Sequence, residues 1–153
     1  MSVPVELEVV HESEKPEKTT ILWVSRHSPL PAQIAELEKK LGGIVIYQLS
    51  GVIPNAEFVV EVAKKVGAKI IVPVLPLSMV ARLAELSKSG GFTVVMAKME
   101  ALATTEDGNE VWRLLAEKPG WRVPVTYAGG ATKVYEFKSF EKLVRVELVT
   151  EPL

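Results

Sequence analysis

The sequence predicts an α/β fold: a Rossmann-like, three-layer domain with a mostly parallel sheet and additional antiparallel strands at its C-terminal end. Three observations support this prediction. Four short, nearly continuous apolar runs follow one another over residues 21–97, amphipathic segments separate them, and segments of alternating polarity follow residue 120. Strands that are buried on both faces of a parallel sheet have such apolar runs. Regular alternation of strands and helices is typical of parallel βαβ units.

The core strands are predicted where β-branched and other apolar residues run together. These runs are ILWV at 21–24, GIVIY at 43–47, KIIVPV at 69–74 and FTVVMA at 92–97. Pro73 has no backbone N–H to donate, so the third strand is expected to end near Val72 or to bulge there. The segment VELEVV at 5–10 alternates in polarity and predicts a further strand, which could pair with the C-terminal strands. Residues 11–20 are charged and are predicted to form a solvated connection.

The helices are predicted where apolar residues recur every three or four positions, so that one face can pack on a sheet. The segments are PAQIAELEKKLGG from residue 31, NAEFVVEVAKKVG from residue 55 and PLSMVARLAELSKSGG from residue 76. Asn55 and Ser78 are predicted N-caps. Gly42 and Gly43, Gly67, and Gly90 and Gly91 are predicted to end the three helices in turn. Together, strands and helices form a βαβαβαβ core with right-handed crossovers.

The length of 153 residues suits one domain, which we predict over residues 1–153. Its Rossmann-like core covers residues 21–100, and an antiparallel extension covers residues 120–153. In the extension, WRVPVTYA, VYEF and LVRVELV are predicted strands, and GGATK is a predicted turn. A short helix is predicted at EVWRLLAEK, residues 110–118.

Composition and charge exclude several classes of function. The net charge of −1 does not supply the basic surface that duplex DNA requires, so no duplex DNA partner is expected. The chain has no cysteine, which excludes disulfides and thiolate zinc sites, and no His or acidic cluster has metal-ligand spacing. P-loop and dinucleotide-binding glycine motifs are absent as well. We therefore expect neither a metal nor a cofactor.

The sequence also predicts the cellular location of the protein. No apolar run reaches the roughly 18 residues that a membrane span needs, so no membrane partner is expected. The N-terminal stretch lacks the basic start and apolar core of a secretory signal. These features predict a cytoplasmic protein. Eighteen glutamates against one aspartate, with few asparagines and glutamines, are typical of a thermophile.

Polar residues that follow the predicted core strands are the candidate site residues, because ligands of open parallel sheets bind beyond the carboxyl ends of the strands. They are Ser25, Arg26, His27 and Ser28 after the first strand, Gln48, Ser50 and Gly51 after the second, Ser78 and Arg82 after the third, and Lys98 and Glu100 after the fourth. We expect these groups to share one crevice at the same edge of the sheet.

The chemistry of these groups favours an anionic ligand. The planar guanidinium of Arg26 suits phosphate, and Lys98 adds a point charge. His27 can exchange a proton near neutral pH. Arg26, His27 and Lys98 are therefore the candidate catalytic residues, and the others are candidates for ligand binding, with Glu100 also a candidate base. In the alternative interpretation, His27 is a packing histidine and the serines are helix caps.

Two stretches carry a resemblance to a known family. WVSRHSPLPAQIAEL at 23–37 and IIVPVLPLSMVARL at 70–83 resemble small CRISPR-associated proteins with a Rossmann-like fold. Some of these proteins have a first strand that ends in S-R-H-P and a later stretch that begins V-L-P. They are grouped with ring nucleases and sensors of cyclic oligoadenylate. The resemblance covers about residues 21–100, and Ser28 interrupts the S-R-H-P pattern here.

The resemblance implies a homodimer that binds a cyclic oligoadenylate across its two-fold axis. In a ring nuclease of this kind, the 2′-hydroxyl of the RNA attacks the adjacent phosphate without a metal, and the protein aligns the attack. The implied roles are charge stabilisation by Arg26 and Lys98, proton transfer by His27, and phosphate or ribose binding by Ser25, Ser50 and Ser78.

Three functions follow from the sequence. The first is cleavage of a cyclic oligonucleotide. The second is binding of a nucleotide or related phosphate ligand in the same pocket without turnover. The third is a protein-interaction module of a thermophile or a mobile element, in which the apolar C-terminal strands form the interface.

Overall fold

The computed structural model describes residues 5–153 as an α/β protein with one mixed seven-stranded sheet and four helices. The strands are β1 (Glu6–Glu12), β2 (Thr19–Val24), β3 (Ile44–Ser50), β4 (Ile70–Pro73), β5 (Thr93–Thr105), β6 (Arg122–Thr126) and β7 (Thr132–Leu143). The helices are α1 (Pro31–Leu41), α2 (Ala56–Val66), α3 (Leu77–Gly90) and α4 (Gly108–Glu117). The first four residues of the N-terminal stretch, where no secretory signal was expected, lie outside the described residues.

The strands follow the order β1-β3-β2-β4-β5-β7-β6. The pairs β2–β3, β2–β4 and β4–β5 are parallel, whereas β1–β3 and β6–β7 are antiparallel. The α/β class is therefore confirmed, and the sheet is mixed. The expected pairing of the N-terminal strand with the C-terminal strands is wrong, because β1 pairs with β3, Leu7 opposite Leu49.

The chain divides into two compact units. The first contains the residues up to Ser28, residues 42–96 and the residues from Lys142 onward, and the second contains residues 29–41 and 97–141. The two units share β5 and β7, since each strand crosses a unit boundary. The single domain over residues 1–153 stays a prediction.

The core of the first unit lies between the parallel strands and the helices α2 and α3. Fully buried residues from both layers meet there, including Leu22, Leu49, Val59, Ile71 and Leu83. Burying one such side chain contributes about 1.5–3 kcal/mol. The four continuous apolar runs of the sequence thus form the centre of the sheet.

Helix α2 begins and ends at the predicted residues. The side chain of Asn55 accepts a hydrogen bond of 2.8 Å from the backbone N–H of Phe58, which satisfies one of the donors left free at the helix start. Gly67 ends the helix with φ of 72°, a left-handed conformation that glycine adopts without steric cost.

Helix α3 begins earlier than predicted. Pro76 is its N-cap residue, and its carbonyl accepts hydrogen bonds from the N–H groups of Met79 and Val80 at 3.0 and 3.1 Å. Ser78 already lies in the first turn, so the predicted capping role of Ser78 is wrong. No side chain caps this helix.

Several strand boundaries also differ from the predictions. Strand β5 continues to Thr105 instead of ending at residue 97, because the continuous apolar run passes into a segment of mixed polarity that suits a partly exposed strand. Strand β7 ends at Leu143, and residues 144–149 of the predicted strand LVRVELV lie outside the strands. Part of the expected connection at 11–20 belongs to β1 and β2. The predicted hairpin is present as β6–β7.

The second unit contains a cluster of charges around Glu136 of β7. This glutamate is buried, and it accepts a hydrogen bond of 3.0 Å from Arg122 Nε and another from Lys138 Nζ. Arg122 also donates to the carbonyl oxygen of Leu114 at 2.7 Å, which links α4 to the hairpin. The ammonium of Lys138 and the guanidinium of Arg122 stabilise the anion and lower the pKa of Glu136 from 4.5 to about 2.

The lowered pKa of Glu136 predicts an acid-sensitive contribution to stability. Since the folded-state pKa is lower than the unfolded-state value, the contribution is complete above about pH 4.5 and is lost as the pH falls toward about 2. We expect Glu136→Gln to be less stable than the wild type at neutral pH, and this difference to shrink over that window. Thermal unfolding from neutral pH to about pH 2 measures it. Glu106→Gln, which removes an exposed carboxylate, is the control, and an identical pH profile for both variants would contradict the prediction.

Candidate functional site

A cavity of about 420 Å³ lies at the carboxyl ends of β2, β3 and β4, entirely within the first unit. The chain runs from β2 to its neighbour β3 on one side and then to β4 on the other side, so β2 marks a topological switch point. Such points are the usual ligand sites of open α/β sheets. The lining residues are Val24, Ser25, Arg26, His27, Leu49, Ser50, Gly51, Val52, Ile53, Val74, Leu75, Pro76 and Met79.

The loop after β2 is held in place by its own polar groups. The backbone N–H of His27 donates to Ser25 Oγ at 3.1 Å, and the His27 carbonyl accepts a hydrogen bond of 3.0 Å from Trp23 Nε1. The N–H of Ser25 donates to the carbonyl of Leu49 on β3 at 3.1 Å. Both backbone groups of His27 are therefore hydrogen-bonded to nearby side chains, which fixes the backbone at this residue. The imidazole is exposed and can contact a ligand.

Gln48 holds the same loop in place. The prediction that Gln48 and Ser50 follow the second core strand is wrong, because both lie within β3. The side chain of Gln48 is buried, and Nε2 donates to the carbonyl oxygen of Ser25 at 2.9 Å. Its Oε1 accepts a hydrogen bond of 3.0 Å from Ser28 Oγ. Neither Gln48 nor Ser28 lines the cavity. The geometry thus gives these two predicted ligand-binding residues a positioning role.

Arg26 adds a positive charge to the lining of the cavity, and no group of residues 5–153 pairs with it. The exposed guanidinium of Arg26 makes no hydrogen bond or ion pair with this part of the chain, and the same is true of the His27 imidazole. Among the same residues, no aspartate or glutamate lines the cavity. An anion placed here would therefore meet the Arg26 guanidinium without a carboxylate on the described lining.

The walls of the cavity are mostly apolar. Leu49 and Ile53 come from the end of β3 and the loop after it, Leu75 and Met79 come from the loop after β4 and the start of α3, and Val74 is exposed on the lining. Sequence reasoning missed these residues because it considered only polar groups after each strand. The position of most of them at or just after the strand ends was the signal that could have found them.

The cavity brings together five of the predicted site residues: Ser25, Arg26, His27, Ser50 and Gly51. Ser78 and Arg82 do not line it. They line a second cavity of about 470 Å³, which α3 forms with residues 144–146. The expectation that all strand-end groups share one crevice is therefore wrong for these two residues.

Arg82 is also engaged by carboxylates. Its Nε donates to Glu57 Oε1 at 2.8 Å, and its Nη1 lies 3.4 Å from Glu85 Oε2. The hydrogen bond to Glu57 raises the pKa of Arg82, and the same contact lowers the pKa of Glu57. The charge of Arg82 is thus compensated within the protein, unlike that of Arg26.

Lys98 and Glu100 belong to the second unit, within β5 and not after it. Lys98 Nζ lies 3.6 Å from a carboxylate oxygen of Glu141, and Lys138 Nζ lies 3.4 Å from Glu100 Oε2. Both charges therefore pair with residues of β7. The prediction that they follow the end of a strand is wrong, because β5 continues past them.

The fold and the cavity define an α/β protein with a cationic pocket at the carboxyl ends of parallel strands. No protein-family model, no curated protein and no solved structure matches the chain. Within residues 5–153, no helix has both the length and the apolar character that crossing a membrane requires. No three His, Asp or Glu side chains of this part of the chain are grouped so that they could hold a metal ion.

Proposed function

We propose that the strand-end cavity binds a nucleotide-type phosphate ligand, with cyclic oligoadenylate the specific ligand that the resemblance suggests. One observation carries this proposal: the guanidinium of Arg26, which pairs with no group of residues 5–153, lies on a cavity of about 420 Å³ whose lining within those residues contains no carboxylate. This volume falls within the range of about 300–1,000 Å³ that is usual for small-molecule sites.

The polar residues of the lining suit the phosphate of a nucleotide, and the apolar residues suit its base. The Arg26 fork binds phosphate oxygens through charge-assisted hydrogen bonds. The Ser25 hydroxyl accepts a hydrogen bond from the N–H of His27 and keeps its own proton to donate to the ligand. The hydroxyl of Ser50, which also lines the cavity, is a second donor. Apolar walls such as Ile53 and Met79 suit the faces of a base.

A second candidate function is cleavage of the bound ring, which the exposed His27 imidazole beside Arg26 favours. The ribose 2′-hydroxyl gives its proton to solvent water as its oxygen forms a bond to the adjacent phosphorus. The bond from phosphorus to the 5′-oxygen breaks, and protonated His27 donates a proton to that oxygen, which leaves a 2′,3′-cyclic phosphate and a 5′-hydroxyl. Arg26 stabilises the charge that develops on the phosphate oxygens. Lys98 has no part in this proposal, because it pairs with Glu141 in the second unit.

Calorimetry and product analysis separate these functions. We expect wild-type protein to bind cyclic tetra- or hexa-adenylate and His27→Ala to retain that binding. If the protein cleaves the ring, His27→Ala should lose at least about 100-fold in rate, the lower range of general acid–base effects. Turnover is measured in chelator with enzyme in excess. Binding without products supports the non-catalytic function, and failure to bind any nucleotide phosphate overturns the proposal in favour of an interaction module.

Three further expectations belong to this proposal. The Rossmann-like, three-layer arrangement is supported by the parallel order β3-β2-β4-β5 at the centre of the sheet. A homodimer that shares ligand between two pockets rests on the resemblance alone. A cytoplasmic location stays a prediction from the sequence.

A further inference from the structure

Among residues 5–153, strand β1 has an exposed apolar stripe and one backbone edge without a neighbouring strand. It is the last strand in the order of the sheet, with β3 as its neighbour on the inner side. Val5, directly before the strand, alternates with Leu7 and Val9 of β1, and these side chains are 37%, 44% and 49% exposed. An exposed edge of this kind can accept a further strand from another chain.

The C-terminal segment at residues 144–149 has the sequence pattern of a strand with an apolar face that could pair with β1. Val144, Val146 and Leu148 alternate with Arg145 and Glu147, which is the pattern of a strand with one apolar face. The segment nevertheless belongs to no strand of the described chain. Its first part borders α3, whereas Leu148 is 90% exposed. The segment thus has the sequence of a strand but no partner strand.

The segment 144–149 cannot reach strand β1 of its own chain. Four strands stand between β1 and β7 in the sheet, a separation of about 20 Å or more. Leu143, directly before the segment, packs against the core of the first unit and fixes its starting point. The six residues that would form the new strand cannot also span that distance. If this segment pairs with a β1 strand, that strand must therefore belong to a second copy.

Charge favours the C-terminal segment over a second β1 as the occupant. β1 carries Glu6, Glu8 and Glu12 and no lysine or arginine. Two β1 strands side by side would bring carboxylates together, and like charges across a strand pair are destabilising. The C-terminal segment has one glutamate where β1 has three, and this Glu147 is paired with Arg145 of the same segment, so the segment brings no uncompensated negative charge to the acidic strand.

We infer that residues 144–149 of one copy add as an edge strand to β1 of a second copy. Apolar side chains of the two strands cover one another, and the open edge of β1 gains backbone hydrogen bonds. A reciprocal exchange uses both edges and closes as a two-fold dimer, whereas a one-way addition would continue into open chains. No residue of β1 or of the segment 144–149 lines the strand-end cavity, although Leu7 pairs with Leu49, which does.

The first test is the mass in solution by light scattering at micromolar concentration. We expect wild-type protein at twice the 16.8 kDa of one chain. A variant that ends at Leu143 and the variant Leu7→Lys should both be monomers, with circular dichroism confirming that they fold. Trp112→Lys, which changes an exposed apolar residue of α4, should remain a dimer. A monomeric wild type overturns the inference, and so does a dimer that survives the truncation.

Disulfide trapping in the full-length chain tests the contact even if the truncated variant does not fold. Because the protein has no cysteine, only engineered thiols can react. We expect a mixture of Leu7→Cys and Leu148→Cys chains to form the mixed disulfide at least tenfold faster than either variant crosslinks alone. Faster self-crosslinking of Leu7→Cys would instead show β1 against β1 and overturn the inference. Neither outcome depends on whether the cavity binds a nucleotide.

Discussion

Arg26→Ala is expected to weaken the binding of a nucleotide phosphate about 10- to 100-fold. A hydrogen bond to a charged group contributes about 1.5–3 kcal/mol, and each 1.4 kcal/mol corresponds to a factor of about ten in affinity. Since the guanidinium is exposed and pairs with no group of residues 5–153, its removal leaves the folded protein intact. Calorimetric titration with cyclic adenylates measures the loss, and thermal unfolding checks that stability is unchanged.

Arg82→Ala is the matched control, because it removes the same charge from the same unit. Arg82 lines the second cavity and is bound by Glu57 and Glu85, so its loss should change nucleotide affinity less than about twofold. Equal losses for the two variants would mean that Arg26 acts only through the net charge of the protein. An unchanged affinity in Arg26→Ala would remove the phosphate contact from the proposal.

Gln48→Leu is expected to destabilise the fold by about 2 kcal/mol and to weaken ligand binding as well. The leucine fills the buried space, but the carbonyl of Ser25 loses its donor, and an unsatisfied buried polar group costs about 1–3 kcal/mol. Ser28 also loses its acceptor. The loop that presents Arg26 and His27 is then less well fixed. Chemical denaturation measures the stability, and calorimetry measures the affinity.

Gln33→Leu is the control that separates the effect of Gln48→Leu on stability from its effect on ligand binding. Gln33 of α1 is also buried, and its Oε1 accepts a hydrogen bond of 2.8 Å from the N–H of Leu30, so a similar loss of stability is expected. Gln33 belongs to the second unit and does not line the cavity. Nucleotide affinity should fall in Gln48→Leu and stay constant in Gln33→Leu. A parallel fall in both would attribute the effect to stability alone.

The boundaries of α2 and α3 show how far local sequence predicts structure. Asn55 and Gly67 are correct because each interacts with the backbone of its own helix, within three or four residues. Ser78 is wrong because Pro76 and Ser78 could both begin a helix, and the path of the chain out of β4 decides between them. A choice between two acceptable local solutions depends on tertiary packing.

Among the candidate site residues, too, local sequence predicts some features correctly and tertiary packing decides the others. Arg26 and His27 were predicted because they directly follow a buried strand, and they do line the strand-end cavity. Lys98 and Arg82 were predicted by the same rule of position, but Lys98 lies within β5 and Arg82 within α3. Both are bound by carboxylates that are distant in the sequence, Glu141 for Lys98 and Glu57 for Arg82. A pattern of single residues does not reveal which charges are compensated.

The sequence by itself determined the α/β class and the first residues of the strand-end site, because both depend on contacts between near neighbours in the chain. Runs of β-branched residues favour buried strands, and a polar loop after such a strand must lie at the edge of a sheet. Only the tertiary structure decided the pairing of β1 with β3, the role of Gln48 and the apolar walls of the cavity. These features depend on groups more than twenty residues apart, whose pairing follows from three-dimensional packing and the cost of leaving a buried polar group unsatisfied.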